Sequence, residues 1–195
     1  MAAVAAFVGT AALAVALTRA PAHDGVSLSS DVSARVCATS GLEAWLGLST
    51  AATGETSDVG SRPAEGTYYT LEFTNVSDHA CSLFGYPEVS AYRNSPEARG
   101  PIGSAAARDT SVRPKPVMLA PGATAHAELR VTIVSAEQAS CVQVTAEELR
   151  IALPRQARPA FVPAHIPVCS QKGQVSLSVQ AIQARPGVPG YTMAP

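Results

Sequence analysis

Four cysteines and four histidines are the residues of this 195-residue chain best suited to redox, metal or nucleophilic chemistry: Cys37, Cys81, Cys141, Cys169, and His23, His79, His126, His165. An even cysteine count downstream of an export-like segment reads as two disulfides. Zinc is disfavoured, because no two cysteines lie two to four residues apart. His79 and Cys81 are close enough to offer a nitrogen and a sulfur to copper, but Cys81 is better explained as half of a disulfide. A nucleophilic triad needs a nucleophile, a base and an orienting acid together, and no histidine here accompanies a G-x-S-x-G elbow or comparable setting. A glycosidase uses two carboxylates in an aromatic cleft. Glu72 and Glu88 flank a tyrosine-rich stretch, yet Glu72 falls on the outward face of its strand, where water is expected. The residues therefore name no catalytic, cofactor-binding or metal-ligating set. The site residues they do support are the four disulfide cysteines.

Two weaker signals remain. Arg108, Arg113 and Lys115 cluster within a stretch rich in Pro and Gly. They read as an anion or partner contact or, with the greater weight, as a solvated loop beside Asp109. Asn75-Val76-Ser77 matches the N-glycosylation pattern and is read instead as a turn, since Asn, Ser and Asp side chains hydrogen-bond nearby backbone.

The elements that would position these residues are strands. Tyr69, Leu71 and Phe73 alternate with Thr70, Glu72 and Thr74, placing one set toward a core and the other toward water. The pattern breaks at Asn75, Ser77 and Asp78, resumes through Cys81, Leu83 and Phe84, and ends at Gly85-Tyr86-Pro87. Leu42, Ala44, Leu46 and Leu48 form an earlier alternation, and Val89 and Ala91 a short later one. Residues 50–66 read as a loop, and 93–116 as irregular with short edge-strand pieces. After the turn at Pro121-Gly122, Ala125, Ala127, Leu129, Val131 and Ile133 share one face. His126 lies on the opposite face and is expected to be solvated. Leu149, Ile151 and Leu153 mark another strand. Residues 161–168 make a strand that Pro163 and Pro167 confine to an edge or a bulge, since each removes a ladder donor. Val175, Leu177, Val179 and Ala181 make the last. The expected core is Tyr69, Leu71, Phe73, Leu129, Val131, Ile133, Leu149, Ile151, Leu177 and Val179. Eight or nine short strands without an amphipathic helix imply an all-β, antiparallel two-sheet sandwich, immunoglobulin-like in its connections.

Disulfide pairing has three possible connectivities. The sequential one, Cys37–Cys81 with Cys141–Cys169, is expected. Cys37 leads into the first strand and Cys81 follows the central turn. Cys141 and Cys169 bracket two consecutive strands whose outer ends meet if they pair as a hairpin.

The apolar run before residue 18 has the length of a signal-peptide core, and Ala20-Pro21-Ala22 supplies a cleavage pattern. No Lys or Arg precedes it, so 1–22 is read as a signal peptide or an incomplete export segment. Residues 23–36 are read as a linker, 37–183 as the domain and 184–195 as a flexible tail. Ala34-Arg35-Val36 before Cys37 is not a lipobox. A net charge of −1 with 15% charged residues argues against a nucleic-acid footprint, which needs a basic face. Contact with a membrane is expected only through the N-terminal segment if it stays uncleaved.

The cysteine positions, the run 68–77, Cys81-Ser82-Leu83, Gly85-Tyr86-Pro87 and Leu119-Ala120-Pro121-Gly122 together resemble the actinobacterial exported family DUF4232. Residues 141–146, Leu149-Arg150-Ile151, Phe161-Val162-Pro163 and Val168-Cys169 continue the likeness. Members of that family look like exported or lipid-anchored envelope proteins of unassigned function. The expected function is thus a secreted or cell-envelope, non-catalytic module binding a protein, a cell-wall component or a small ligand. The alternative is an extracellular hydrolase or copper-handling protein with a site built from scattered His and carboxylates. A pocket holding His79 or His165 beside a carboxylate would favour the alternative.

Overall fold

The computed structural model describes residues 35–48, 66–95, 98–132 and 141–188. The expected export segment, residues 23–34 of the linker, Ile133 of the expected core, and residues 189–195 lie outside them.

The described residues form an all-β domain of several mostly antiparallel sheets. In the largest, β1 (Leu42–Leu48) pairs with β2 (Gly66–Asn75), and β2 pairs with β8 (Thr124–Thr132). β8 then pairs with β11 (Leu177–Val179) and, further along, with β12 (Gln183–Ala184). The far edge is β6 (Ala107–Arg108), which runs parallel to β11. A second sheet has the order β10 (Ala160–Cys169), β9 (Gln143–Ala152), β4 (Glu88–Ser95), β5 (Ala98–Ile102). A short ribbon joins β3 (Cys81–Leu83) to β7 (Val117–Leu119). Two features depart from the expected purely antiparallel pair of sheets: the third, two-stranded sheet and the parallel β6–β11 contact. Two residues show no periodicity, so β6 leaves no trace in the sequence pattern.

Both large sheets contribute to one apolar cluster. Across β2 and β8 the register sets Phe73 opposite Ala125 and Leu71 opposite Ala127. A large side chain thus faces a small one, which lets the layer close without voids. The second sheet repeats this with Leu149 opposite Ala91 on one side and Val162 on the other. Every member of the expected core within the described residues is buried except Tyr69, which is half-buried. β10 behaves as its prolines require. It is an edge strand, Pro163 and Pro167 point outward, and its register shifts between Pro163 and Ile166.

The outer face of the largest sheet is not the wet surface its polarity implies. Thr70, Glu72 and Thr74 are buried, and Glu72 is 0% exposed. His126 is half-buried rather than solvated. Among the described residues, cover comes from the C-terminal segment: residues 185–188 lie over this face. The backbone N–H groups of Gly187 and Val188 donate to Glu72 Oε1 at 2.8 and 2.9 Å.

Two disulfides close the fold, Cys37–Cys81 and Cys141–Cys169, with Cα–Cα distances of 4.8 and 5.2 Å. The first joins the N-terminal stretch to β3, where the N–H of Cys37 donates to the Ser82 carbonyl and that of Ser82 to the Arg35 carbonyl. The second ties the open end of the β9–β10 hairpin, beside the bond from Ser170 N–H to the Val142 carbonyl.

Candidate functional site

Three connections converge on a cleft of about 520 Å³: the β3–β4 turn (84–87), the loop after β6 (109–116) and the β9–β10 turn (153–156). Gly85 makes the first turn with φ 104°, and a Cβ there would press on Pro154. Its carbonyl accepts from Ile182 N–H at 2.9 Å, anchoring the turn to the chain beyond β11. The Tyr86 hydroxyl donates to the Val112 carbonyl at 3.0 Å and so fixes the loop. The Arg108 guanidinium lies 5.7 Å from the Tyr86 ring, within cation–π reach. Arg155 tops the third turn in a left-handed conformation, φ 64°, which costs energy for a non-glycine residue. Phe84 is 50% exposed on the rim.

A second groove, of about 590 Å³, uses the same loop. Arg113 and Lys115 line it together with Val117 and Ile182. The three basic residues singled out in sequence are therefore brought to one loop, and Arg155 joins them from a distant turn. Asp109 does not neutralise them. Its carboxylate accepts from Ser111 N–H at 2.9 Å and from Gln180 Nε2 at 3.4 Å. The Ser111 backbone bond, first among several, holds Asp109 below the usual carboxylate range. Among the described residues the ion pairs are His79–Asp78 and Arg99–Glu148. Arg108, Arg113, Lys115 and Arg155 pair with no carboxylate there, and Glu88 is the one acidic residue lining the cleft. Sequence reasoning missed Arg155, because nothing in the pattern around Pro154 signals a turn that projects an arginine.

Among the described residues the histidines do not come together. His79 bonds Asp78 at 2.8 Å on an exposed turn and lines neither the cleft nor the groove. Cys81 is in a disulfide, so His79 has no thiolate beside it. His165 is exposed on β10, and His23 lies outside the described residues. Glu88 lines the cleft, whereas Glu72 is sealed on another face, so the two carboxylates do not meet. Among the described residues no three His, Cys, Asp or Glu side chains gather as a metal site. Asn75 is buried and holds the turn after β2: its amide nitrogen donates to the carbonyls of His79 and Leu119, and its oxygen accepts from Ser77.

No curated protein and no solved structure matches the chain. The family model described as "Domain of unknown function (DUF4232)" matches residues 37–183, and with three quarters of its length covered the chain belongs to that family.

Proposed function

We propose that the protein is a secreted or cell-envelope, non-catalytic binding module that holds an anionic component of the cell wall at the Arg108–Arg155 cleft. The observation that carries this reading is the set of four cations, Arg108, Arg113, Lys115 and Arg155, without a carboxylate partner among the described residues. Within the loop 109–116, Pro114 lines the cleft and Arg113 and Lys115 line the groove, so the cations of the two sites lie along one rim. A rim suits a polymer with repeated charge better than a single small anion. Phe84 and Tyr86 add apolar area beside the charges. Two disulfides support an oxidising, extracytoplasmic setting. In the same reading the two larger sheets are the layers of an immunoglobulin-like sandwich, supported by the one apolar cluster they share.

Co-sedimentation with insoluble cell-wall material tests the reading. The double variant Arg108→Gln/Arg155→Gln should be retained roughly tenfold less, a loss of about 1.4 kcal/mol. Raising salt should release the wild type, because exposed charges are screened. Equal retention of variant and wild type would show that the cleft is not the binding site.

A further inference from the structure

Glu72 is a fully buried carboxyl on the face of a strand that alternation assigns to solvent, and the binding reading above makes no use of it. Among the described residues, one short segment covers it. β12 lays Gln183 opposite His126 and Ala184 opposite Ala125. Arg185 then turns with φ 74°, and its carbonyl accepts from His126 Nδ1 at 2.8 Å, which fixes the proton on that nitrogen. Gly187 lies flat on the sheet, where a Cβ would collide with Thr70 Cγ2 and come within 2.8 Å of His126 Cδ2. Val188 reaches β1, its Cγ2 filling the space above Gly47 beside the Trp45 ring. Both Gly187 and Val188 donate to the same oxygen of Glu72, while Oε2 is buried with no hydrogen-bond partner among the described residues.

We propose that residues 185–188 are a latch over the outer face of β1, β2 and β8, with the Glu72 carboxyl as a proton-operated keeper: protonated it holds the latch closed, ionised it releases it. A neutral carboxyl accepts both N–H groups through Oε1 and carries no charge into the buried site. An ionised one leaves a negative oxygen facing protein atoms, a cost that water removes once the segment lifts. Burial accordingly raises the Glu72 pKa, against the two backbone bonds and His126, which lower it. Other charged and titratable groups border the site. On β8, Glu128 and Arg130 stand along the row from His126, and Asp109 lies behind Glu128. On β2 there is Tyr68, on β1 Glu43, and on the latch Arg185. Of these, His126 is the charged group that acts on Glu72, lowering its pKa, while Asp109 acts on Glu128, raising it. Release uncovers a strip of Trp45, Thr70, Glu72 and His126, a surface distinct from the basic cleft.

The test is amide hydrogen exchange at Gly187 and Val188 in the full chain from about pH 5 to pH 8, corrected for intrinsic rates, with a carboxyl NMR titration of Glu72. In the wild type, protection should fall with rising pH, about tenfold for each unit by which closure raises the carboxyl pKa. Glu72→Gln should keep these amides protected with no such slope. Gly187→Val should strip protection from them alone and return Glu72 to the usual carboxylate range, while Leu129 and Leu149 stay protected. A flat wild-type profile, an ordinary Glu72 titration in the wild type, the wild-type slope persisting in Glu72→Gln, or a raised Glu72 persisting in Gly187→Val would each overturn the proposal. The wild-type measurements decide it even if a variant does not fold.

Discussion

Asn75 and Glu72 lie three positions apart in β2 and meet burial in opposite ways. Asn75 satisfies both ends of its amide, binding the turn after β2 to β7. Removing a buried partner exposes the full desolvation cost of the groups left behind, about 1–3 kcal/mol. Asn75→Ala should therefore lower stability by about that amount in urea unfolding, and Asn75→Asp should not restore it, since a carboxylate cannot donate to the Leu119 carbonyl. Glu72 is only half satisfied, and Glu128 is also raised, by burial first and then by the Asp109 carboxylate. A carboxyl raised in the folded state contributes stability that is full below its unfolded pKa and fades as pH rises through the folded one. Asp109, depressed by Ser111, contributes the opposite: stability present above its unfolded value and lost as pH falls. The urea midpoint should thus decline as pH rises above the unfolded carboxylate value of about 4.3 and through the raised folded ones, and Glu72→Gln should flatten part of that decline. A midpoint rising over this window would contradict the assignment. The turn at Asn75 could be read from its residue types. The burial of Glu72 could not, because its partners lie 115 and 116 positions away and nothing in strand alternation tells what covers an outer face.

At the scale of elements, strands with one apolar face were legible because burial enforces period two. β2, β8 and β9 each show it, and the prolines of β10 correctly marked an edge. Phe73 sits at the centre of that arrangement, 0% exposed and opposite Ala125. Phe73→Ala should cost about 3–5 kcal/mol, measured as a shift in the unfolding midpoint; a loss near zero would mean the inward face is misassigned. The Cys141–Cys169 bond closes a hairpin, so Cys141→Ser/Cys169→Ser should cost about 3–4 kcal/mol through the chain entropy of the unfolded state. Exchange protection should drop first in β9 and β10. β6 and the loops were opaque for a different reason: the 109–116 loop is placed by single contacts from Tyr86, Gln180 and Val179, which leave no periodic trace in the sequence.

For the whole molecule, membership of a family of unknown function leaves the charges and shape of the domain to argue for its role. The net charge of −1 hides an uneven distribution, with four cations gathered around one loop. Of these, Arg108, Arg113 and Lys115 were visible as a cluster, and only folding adds Arg155. The most direct test of the binding account is an amide NMR titration of the disulfide-intact protein with soluble, phosphate-bearing cell-wall fragments at low salt. The account predicts shifts concentrated at Gly85, Tyr86, Arg108, Arg113 and Arg155, reversed by added salt. Shifts confined to other surfaces, such as the Tyr92–Phe161–Arg99 edge, or no shifts at any concentration of fragment, would contradict it.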